Sequence, residues 1–491
     1  MAKCIMVQGT MSNVGKSLIA AGLCRVFAKD GFRVAPFKSQ NMALNSYITY
    51  DGKEMGRAQV LQAQAAGIAP DVRMNPILLK PTGHMGSQVI VNGEVTETLP
   101  AKEYYRRKHE LLPAVQAAYH SLAAEYDIIV IEGAGSPAEI NLQKDDFVNM
   151  GMAALADAPV LLVGDIDRGG VFAQLAGTYQ LLQEADRRRI KGLIINKFRG
   201  DVSILEPGLE LLYPYVPIPF CGVVPYTKLE LEEEDSQGRV LDETTGRRAE
   251  AIDIAVIRLP FMSNYTDVDA FSHCPGVSVR FVSEAAQLQS AAMIILPGSK
   301  NTIADLQWLR DSGLAAAIKT RQKEGVIIFG ICGGFQMLGR SVADPQAVEN
   351  EDCRFIEGLG LLEHSTILQS VKRTKQQSGR LGQVQGALAA LSGCAYEGYE
   401  IHMGQSLIDG REVPLLYGND RVYGTYLHGI FDHEEILTAC VHTLADLCKV
   451  EYQAPLLSQA QWREQEFEKL ETLMRQSLDL PMMYQMMGVT R

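Results

Sequence analysis

Of nine cysteines, one stands in a setting that would make it a nucleophile. Phe329-Gly330-Ile331-Cys332-Gly333-Gly334-Phe335-Gln336 follows the apolar run Val326–Ile328. Gly-x-Cys-x-Gly is the thiol form of a nucleophile elbow, a tight strand-to-helix turn that exposes the reactive atom. The flanking glycines permit a strained backbone, and a helix N-terminus favours the thiolate, the reactive form. A thiol nucleophile needs a base. Tyr423-Gly424-Thr425-Tyr426-Leu427-His428-Gly429 offers one, because the strand-like Arg421–Tyr426 presents His428 at its end. His402, in Tyr399-Glu400-Ile401-His402-Met403-Gly404, competes for that role. Leu296-Pro297-Gly298-Ser299-Lys300 closes another strand, so the backbone N–H groups near Gly298 and that of Gly333 are candidates for an oxyanion hole.

A second constellation lies at the start of the chain. Gln8-Gly9-Thr10-Met11-Ser12-Asn13-Val14-Gly15-Lys16-Ser17 follows a strand and opens a helix. In that context backbone N–H groups and a helix N-terminus surround phosphates. Asn13, Val14 and Gly15 supply the cradle, Lys16 lies against the β- and γ-phosphates, and the Ser17 hydroxyl is a ligand for Mg²⁺. Five residues, not the usual four, separate Gly9 from Gly15. Ile128–Ile131 leads into Glu132-Gly133-Ala134-Gly135, which puts an acid at a strand end as a second Mg²⁺ ligand. The plainer reading of Glu132 is a capping or surface carboxylate. Asn196 and Lys197 end another strand as candidate contacts to the adenine. Gly164-Asp165-Ile166-Asp167-Arg168-Gly169-Gly170 joins acids, an Arg and flexible backbone at a strand C-terminus, where open α/β sheets collect ligands. Asp165, Asp167 and Arg168 are therefore candidates for the transferred phosphate or the substrate.

The elements that position these groups read as α/β. The first ~225 residues alternate short apolar runs (Cys4–Val7, Ile128–Ile131, Val160–Val163, Gly192–Ile195) with longer amphipathic or Ala-rich stretches. Runs apolar on both faces suit parallel strands covered by helices. Lys228–Arg248 breaks the rhythm with Glu, Asp, Arg and Gly and reads as an exposed linker or surface excursion. A second series starts at Ile252–Arg258 and continues through Val277–Val282, Met293–Leu296 and Val326–Ile331. The expectation is two doubly wound α/β domains with mainly parallel sheets. Their spans are 1–227 and 251–445, joined by 228–250, with a helical extension over 446–491 in which the last ~30 residues form a terminal helix. A length of 491 residues favours two cores over one.

Composition excludes some partners. Lys and Arg number 46 against 58 Asp and Glu, a net charge of −12 that argues against a nucleic-acid backbone. No apolar run approaches the ~20 residues that span a bilayer, and no charged-then-apolar leader opens the chain. The cysteines are scattered, odd in number and without a Cys-x-x-Cys pair, which suits a reducing cytoplasm and supports neither a disulfide framework nor a zinc site. Nothing in the sequence fixes an oligomeric state.

The Gly-Ile-Cys-Gly-Gly-x-Gln motif with a late Gly-x-x-x-His is similar to class I glutamine amidotransferase domains, whose Cys hydrolyses glutamine through a thioester. The Glu usual two residues after the His is Ile430 here, and neither Asp432 nor Glu434 is an obvious replacement. The third triad member is thus absent from its usual place, as in the cobyrinate-amidating subgroup. The longer phosphate loop resembles the dethiobiotin synthetase group, which transfers phosphate to carboxyl-type acceptors. Together the two modules resemble the corrinoid amide synthases over nearly the whole chain. The branch resembled is carried by Val7–Ser17, Phe37-Lys38-Ser39-Gln40-Asn41-Met42-Ala43-Leu44-Asn45-Ser46, Gly56-Arg57-Ala58-Gln59, Asn264-Tyr265-Thr266-Asp267 and Leu296–Thr302. That branch implies glutamine, ATP, Mg²⁺ and a corrinoid, adenosylcobyrinic acid a,c-diamide, amidated at its b, d, e and g carboxylates. Lys38, Asn41 and Asn45 are then candidate contacts to substrate carboxylates or the γ-phosphate. Tyr399 and His402 are candidates to line the glutaminase side. The rival readings are the enzyme that makes the a,c-diamide itself, and a partitioning-type ATPase switch carrying a non-catalytic amidotransferase-like domain.

Overall fold

The computed structural model describes residues 2–81, 86–143, 146–231, 251–349, 353–454 and 456–490. The chain divides into two compact units. The first comprises 1–43, 53–236 and 463–491; the second comprises 44–52 and 237–462. Most of the linker expected at 228–250 lies outside the described residues.

In the first unit, six parallel strands form one sheet: β1 (Lys3–Gly9), β2 (Val34–Phe37), β3 (Ile128–Glu132), β4 (Val160–Asp165), β5 (Ile190–Phe198) and β6 (Phe220–Pro225). Their order is β6-β5-β4-β1-β3-β2. Ile5, Met6, Val7 and Ile128 to Ile131 are fully buried, which is why these runs carry no polar alternation. Strand β1 pairs on one side with β3 and on the other with β4, so the strand order reverses at β1. A crevice opens at such a reversal beyond the strand C-termini, and the phosphate loop leaves β1 there. A smaller sheet of Gln40–Met42, Ile77–Pro81, Gly86–Val91 and Glu94–Pro100 extends this unit.

The single terminal helix expected from the sequence is two helices in the structure, Gln459–Ser477 and Leu480–Met486. Leu478 follows the first helix and Asp479 caps the second, its carboxylate accepting the Met482 N–H at 2.9 Å. Leu470, Met474 and Met483 are fully buried in the first unit's core. They pack against the helix α1 (Lys16–Lys29) that follows the phosphate loop. Gly22 makes this close approach possible, because a Cβ there would lie 2.4 Å from Met474 Cγ. Phe27 and Tyr484 rings meet at 5.2 Å.

The second unit repeats the theme with β7 (Ile252–Ile257), β8 (Val277–Val282), β9 (Met293–Leu296), β10 (Ile327–Ile331), β11 (Leu416–Asn419) and β12 (Val422–Thr425). The order is β8-β7-β9-β10-β12-β11, parallel except for the edge hairpin β11–β12. A long antiparallel ribbon, Ser365–Arg380 with Ala395–Ile408, adds a second sheet, and Tyr399 in it pairs with His428. Among the described residues no helix is long and apolar enough to cross a membrane.

Candidate active site

Two sites form, one in each unit. In the first, Gly9 and Gly15 shape the loop. A Cβ at Gly9 would lie 2.5 Å from Val14 Cγ2, and Gly15 adopts φ +94° with Asn196 Nδ2 2.2 Å from where its Cβ would be. Asn196 Nδ2 donates to Val14 O at 2.7 Å. Lys197 donates to Asn13 O and, at 3.0 Å, to Asp165 Oδ2. These two residues thus brace the loop backbone itself. Lys16 Nζ donates to Met11 O and Gly135 O at 3.0 and 3.1 Å, curled over the cradle.

Glu132 is fully buried and collects the polar groups of the site. Its carboxylate accepts from Ser17 Oγ (2.8 Å), Lys38 Nζ (2.9 Å) and Gln62 Nε2 (2.6 Å). Burial pushes this carboxyl up, but the Lys38 charge and the three hydrogen bonds outweigh it and hold it below the usual range. Ser17 and Glu132 offer hard oxygen donors at the phosphate loop, a set that suits Mg²⁺ binding shared with phosphate oxygens. Lys38 is a partner of Glu132 that the sequence did not reveal. Asp165 is buried and accepts the Asp167 N–H at 2.9 Å; Asp167 is exposed and pairs with Arg199 at 2.8 Å. Arg168 is exposed, between Asp167 and the positive-φ glycines 169 and 170. Asn41 Nδ2 donates to Gln59 Oε1 at 3.3 Å. Asn45, grouped with Lys38 and Asn41 in the sequence, packs instead with the second unit, buried and with its Oδ1 lacking a hydrogen-bond partner among the described residues.

In the second unit, β10 delivers Cys332 at φ +51°, ψ −107°, the strained turn that the flanking glycines predict. The helix Gly333–Leu338 begins directly behind it. No side chain fits at Gly334, where a Cβ would lie 1.9 Å from Leu296 O. A Cβ on Gly333 would lie 2.7 Å from Ser299 N, so the Gly333 backbone abuts the Gly298–Ser299 strand. Gly298 in turn faces the imidazole, its Cβ position 3.5 Å from His428 Cε1. The Gly298–Ser299 strand and the Gly333 turn thus lie side by side next to the base. Cys332 Sγ donates to Ile401 O at 3.6 Å.

His428 is fully buried and bonded through Nδ1 to Asp267 Oδ2 at 2.7 Å. Asp267 also accepts the Gly429 N–H at 2.9 Å. Burial disfavours the imidazolium, but the Asp267 charge and hydrogen bond, with a smaller contribution from Cys332, push its pKa up to about 10. A proton on Nδ1 leaves Nε2 for the thiol side, so the set can take a proton from a thiol and return it to a leaving nitrogen. Neither Asp432 nor Glu434 fills this place. Asp267 lies 161 residues upstream of its partner, too far for any local spacing to flag it. The competitor His402 is engaged elsewhere: Nδ1 with Gly404 O at 2.7 Å, Nε2 facing Glu400 Oε2 at 3.5 Å, and its ring stacked on Tyr426. Tyr399 stacks on His428 with ring centroids 5.3 Å apart. Burial raises the thiols of Cys24, Cys221, Cys274 and Cys440, which makes them poor nucleophiles.

Comparison with known proteins accounts for both units. Residues 5–239 match the model of the CobQ/CobB/MinD/ParA nucleotide binding domain, and residues 253–436 that of the CobB/CobQ-like glutamine amidotransferase domain. A cobyric acid synthase of Lachnoclostridium phytofermentans is 53% identical over 99% of each chain. One from Ruminiclostridium cellulolyticum is 50% identical, covering 99% of this chain and 97% of its own. One from Streptococcus sanguinis is 48% identical over 99% of each.

Proposed function

The chain belongs to the cobyric acid synthase family, glutamine-dependent amide-forming ligases of cobalamin biosynthesis, and from that premise we propose that it amidates the b, d, e and g carboxylates of adenosylcobyrinic acid a,c-diamide. One glutamine and one ATP are consumed at each position. The observation that carries the reading is that a single chain builds a phosphate cradle with Ser17 on Glu132 and, separately, a thiol with the His428–Asp267 pair. We assign ATP and corrinoid binding to residues 1–227 and glutamine hydrolysis to 251–445.

A carboxylate is a poor electrophile near neutral pH, and this is why ATP is spent. A substrate carboxylate oxygen attacks the γ-phosphorus, the bond to the β-phosphate oxygen breaks, and ADP leaves an acyl phosphate. Lys16 and the N–H groups of Asn13, Val14 and Gly15 stabilise the charge on the transferring phosphoryl group. Lys38, Asn41, Asp165, Asp167 and Arg168 act on the phosphate or the substrate, and Asn196 and Lys197 hold the loop and the nucleotide. Ser17 and Glu132 would hold Mg²⁺, which neutralises phosphate charge when bound.

In the other unit, the Cys332 thiolate attacks the glutamine amide carbon, and the oxyanion is met by backbone N–H groups at Gly333 and Gly298. Collapse of that intermediate breaks the C–N bond; His428 donates the proton, and neutral ammonia leaves. Water then hydrolyses the thioester to glutamate, with His428 as base. Ammonia attacks the acyl phosphate, releasing phosphate and leaving the amide. Asp267 keeps the imidazole in the tautomer and orientation both halves need. All nine cysteines are free, which fits the reducing cytoplasm where we place the enzyme.

The test is incubation of the purified chain with ATP, Mg²⁺, glutamine and adenosylcobyrinic acid a,c-diamide, followed by the corrinoid mass. Four successive losses of about one mass unit support the reading, each replacing OH by NH₂. Active glutamine hydrolysis beside an unchanged corrinoid refutes it and calls for another carboxylate acceptor.

A further inference from the structure

Asp267 fixes only one edge of the His428 ring. The other edge and one face are held by two side chains that converge on the backbone of a single residue, Ser46. The Ser46 N–H donates to Asn264 Oδ1 at 3.1 Å. That bond decides which way the Asn264 amide faces, and its Nδ2 lies 3.5 Å from His428 Nε2. The Ser46 carbonyl accepts from the Tyr399 hydroxyl at 2.9 Å, and the Tyr399 ring lies on His428 at an interplanar angle of 21°. Ser46, Asn264 and Tyr399 are all at least 95% buried.

The contacts continue along the same peptide. Tyr47 packs edge-on against Tyr399 at 5.3 Å. Ile48 forms a buried cluster with Tyr399 and Ile401, and the Ile401 carbonyl is the acceptor of the Cys332 thiol. Thr374 Oγ1 donates to Gly52 O at 2.9 Å. Residues 44–52 are therefore part of the second unit, yet the chain enters them from the strand Gln40–Met42 and leaves into Glu54–Gly56, both of the first.

We propose that the segment 44–52, through the Ser46 backbone, is a positioning element for His428, with Asn264 and Tyr399 as the positioning residues. Nε2 must meet the thiol and then the leaving nitrogen, and a displacement of about 1 Å at such an atom can cost ~10²-fold in rate. The inference rests on the glutaminase reading of Cys332 and His428.

The test uses the full-length chain carrying Tyr399→Phe, which removes one hydroxyl and keeps the ring. A second variant, Asn264→Gly, suits the left-handed backbone at φ +52°. Glutamate release and amide formation are measured with glutamine and with ammonium, with and without ATP and corrinoid. The expected result is a fall in glutamine-dependent kcat of about tenfold or more, unchanged KM for glutamine, and unchanged ammonium-dependent amidation. Wild-type glutamine kcat in both variants, or equal losses with both nitrogen sources, overturns the proposal. Failure of the underlying reading would show separately, as a wild-type chain that releases no glutamate.

Discussion

Asp267 Oδ2 lies 2.7 Å from His428 Nδ1, and the other oxygen of the same carboxylate holds the Gly429 backbone. The acid comes from the short helical turn Tyr265–Val268, just beyond β7, and the base from the strand end after β12. Two distant segments are thus locked together at the His428 imidazole. Asp267→Asn keeps the size but reverses the hydrogen-bond polarity at one oxygen. Glutamine-dependent turnover should fall by roughly 10²–10⁴, as loss of a triad acid does, while ammonium-dependent amidation persists. Steady-state rates with the two nitrogen sources check this; equal rates with glutamine for both chains would contradict it.

The same pair makes a pH prediction for stability. His428 has its pKa pushed up to about 10 in the folded chain, against an ordinary value of 6.5. Folding therefore favours the proton. Its stabilisation is fully present below about pH 6.5 and is lost as pH rises towards about 10. The melting-temperature gap between wild type and Asp267→Asn should be wide at pH 6 and narrow steadily to pH 10. Thermal unfolding across that range measures it, and a gap constant with pH would count against the assignment.

Asp305 carries a separate, opposite lesson about neutral pH. It is fully buried and accepts from Ser299 Oγ at 2.6 Å and from Phe261 N at 3.0 Å, which ties the Gly298–Ser299 strand to the segment before Asp267. Burial outweighs those bonds and raises the carboxyl to about 6. The sign follows from the raised value: its favourable contribution is present below about pH 4 and lost as pH passes 6. Asp305→Asn should therefore gain stability relative to wild type between pH 5 and pH 8, by a few degrees in melting temperature. A relative stability that does not rise over this interval would contradict the account.

Lys16→Ala separates the two sites from the other direction. Lys16 curls over the cradle, so its loss should abolish amidation with glutamine and with ammonium alike. Basal glutamate release without ATP should survive, because Cys332, His428 and Asp267 lie in the other unit. Undiminished amidation by this variant would remove the phosphate loop from the mechanism.

Much of this was legible in the sequence because it is local. The glycines around Cys332 and the run Gly9 to Ser17 encode turns whose backbone strain is set within a few residues. The unbroken apolar runs of β1, β3 and β10 announce parallel strands buried on both faces. What was not legible depends on pairing across long separations. Asp267 is one acid among many until the fold brings it to His428. The position of Lys38 just after the second strand suggests a ligand contact, and the structure adds its buried pairing with Glu132. The C-terminal helices return to α1, and residues 44–52 leave the unit that surrounds them in the chain; no periodicity signals either excursion. The break between the last two helices was marked only by Asp479 ahead of Leu480-Pro481, a capping signal easily lost in a Gln- and Met-rich stretch.

The central claim is that one unit makes ammonia and the other spends it. The most direct measurement is the corrinoid mass produced by Cys332→Ala with glutamine and, in parallel, with a high concentration of ammonium. The account predicts no mass change with glutamine and the full set of amidations with ammonium. Amidation from glutamine without the thiol, or no rescue by ammonium in a folded chain that still binds ATP, would contradict it.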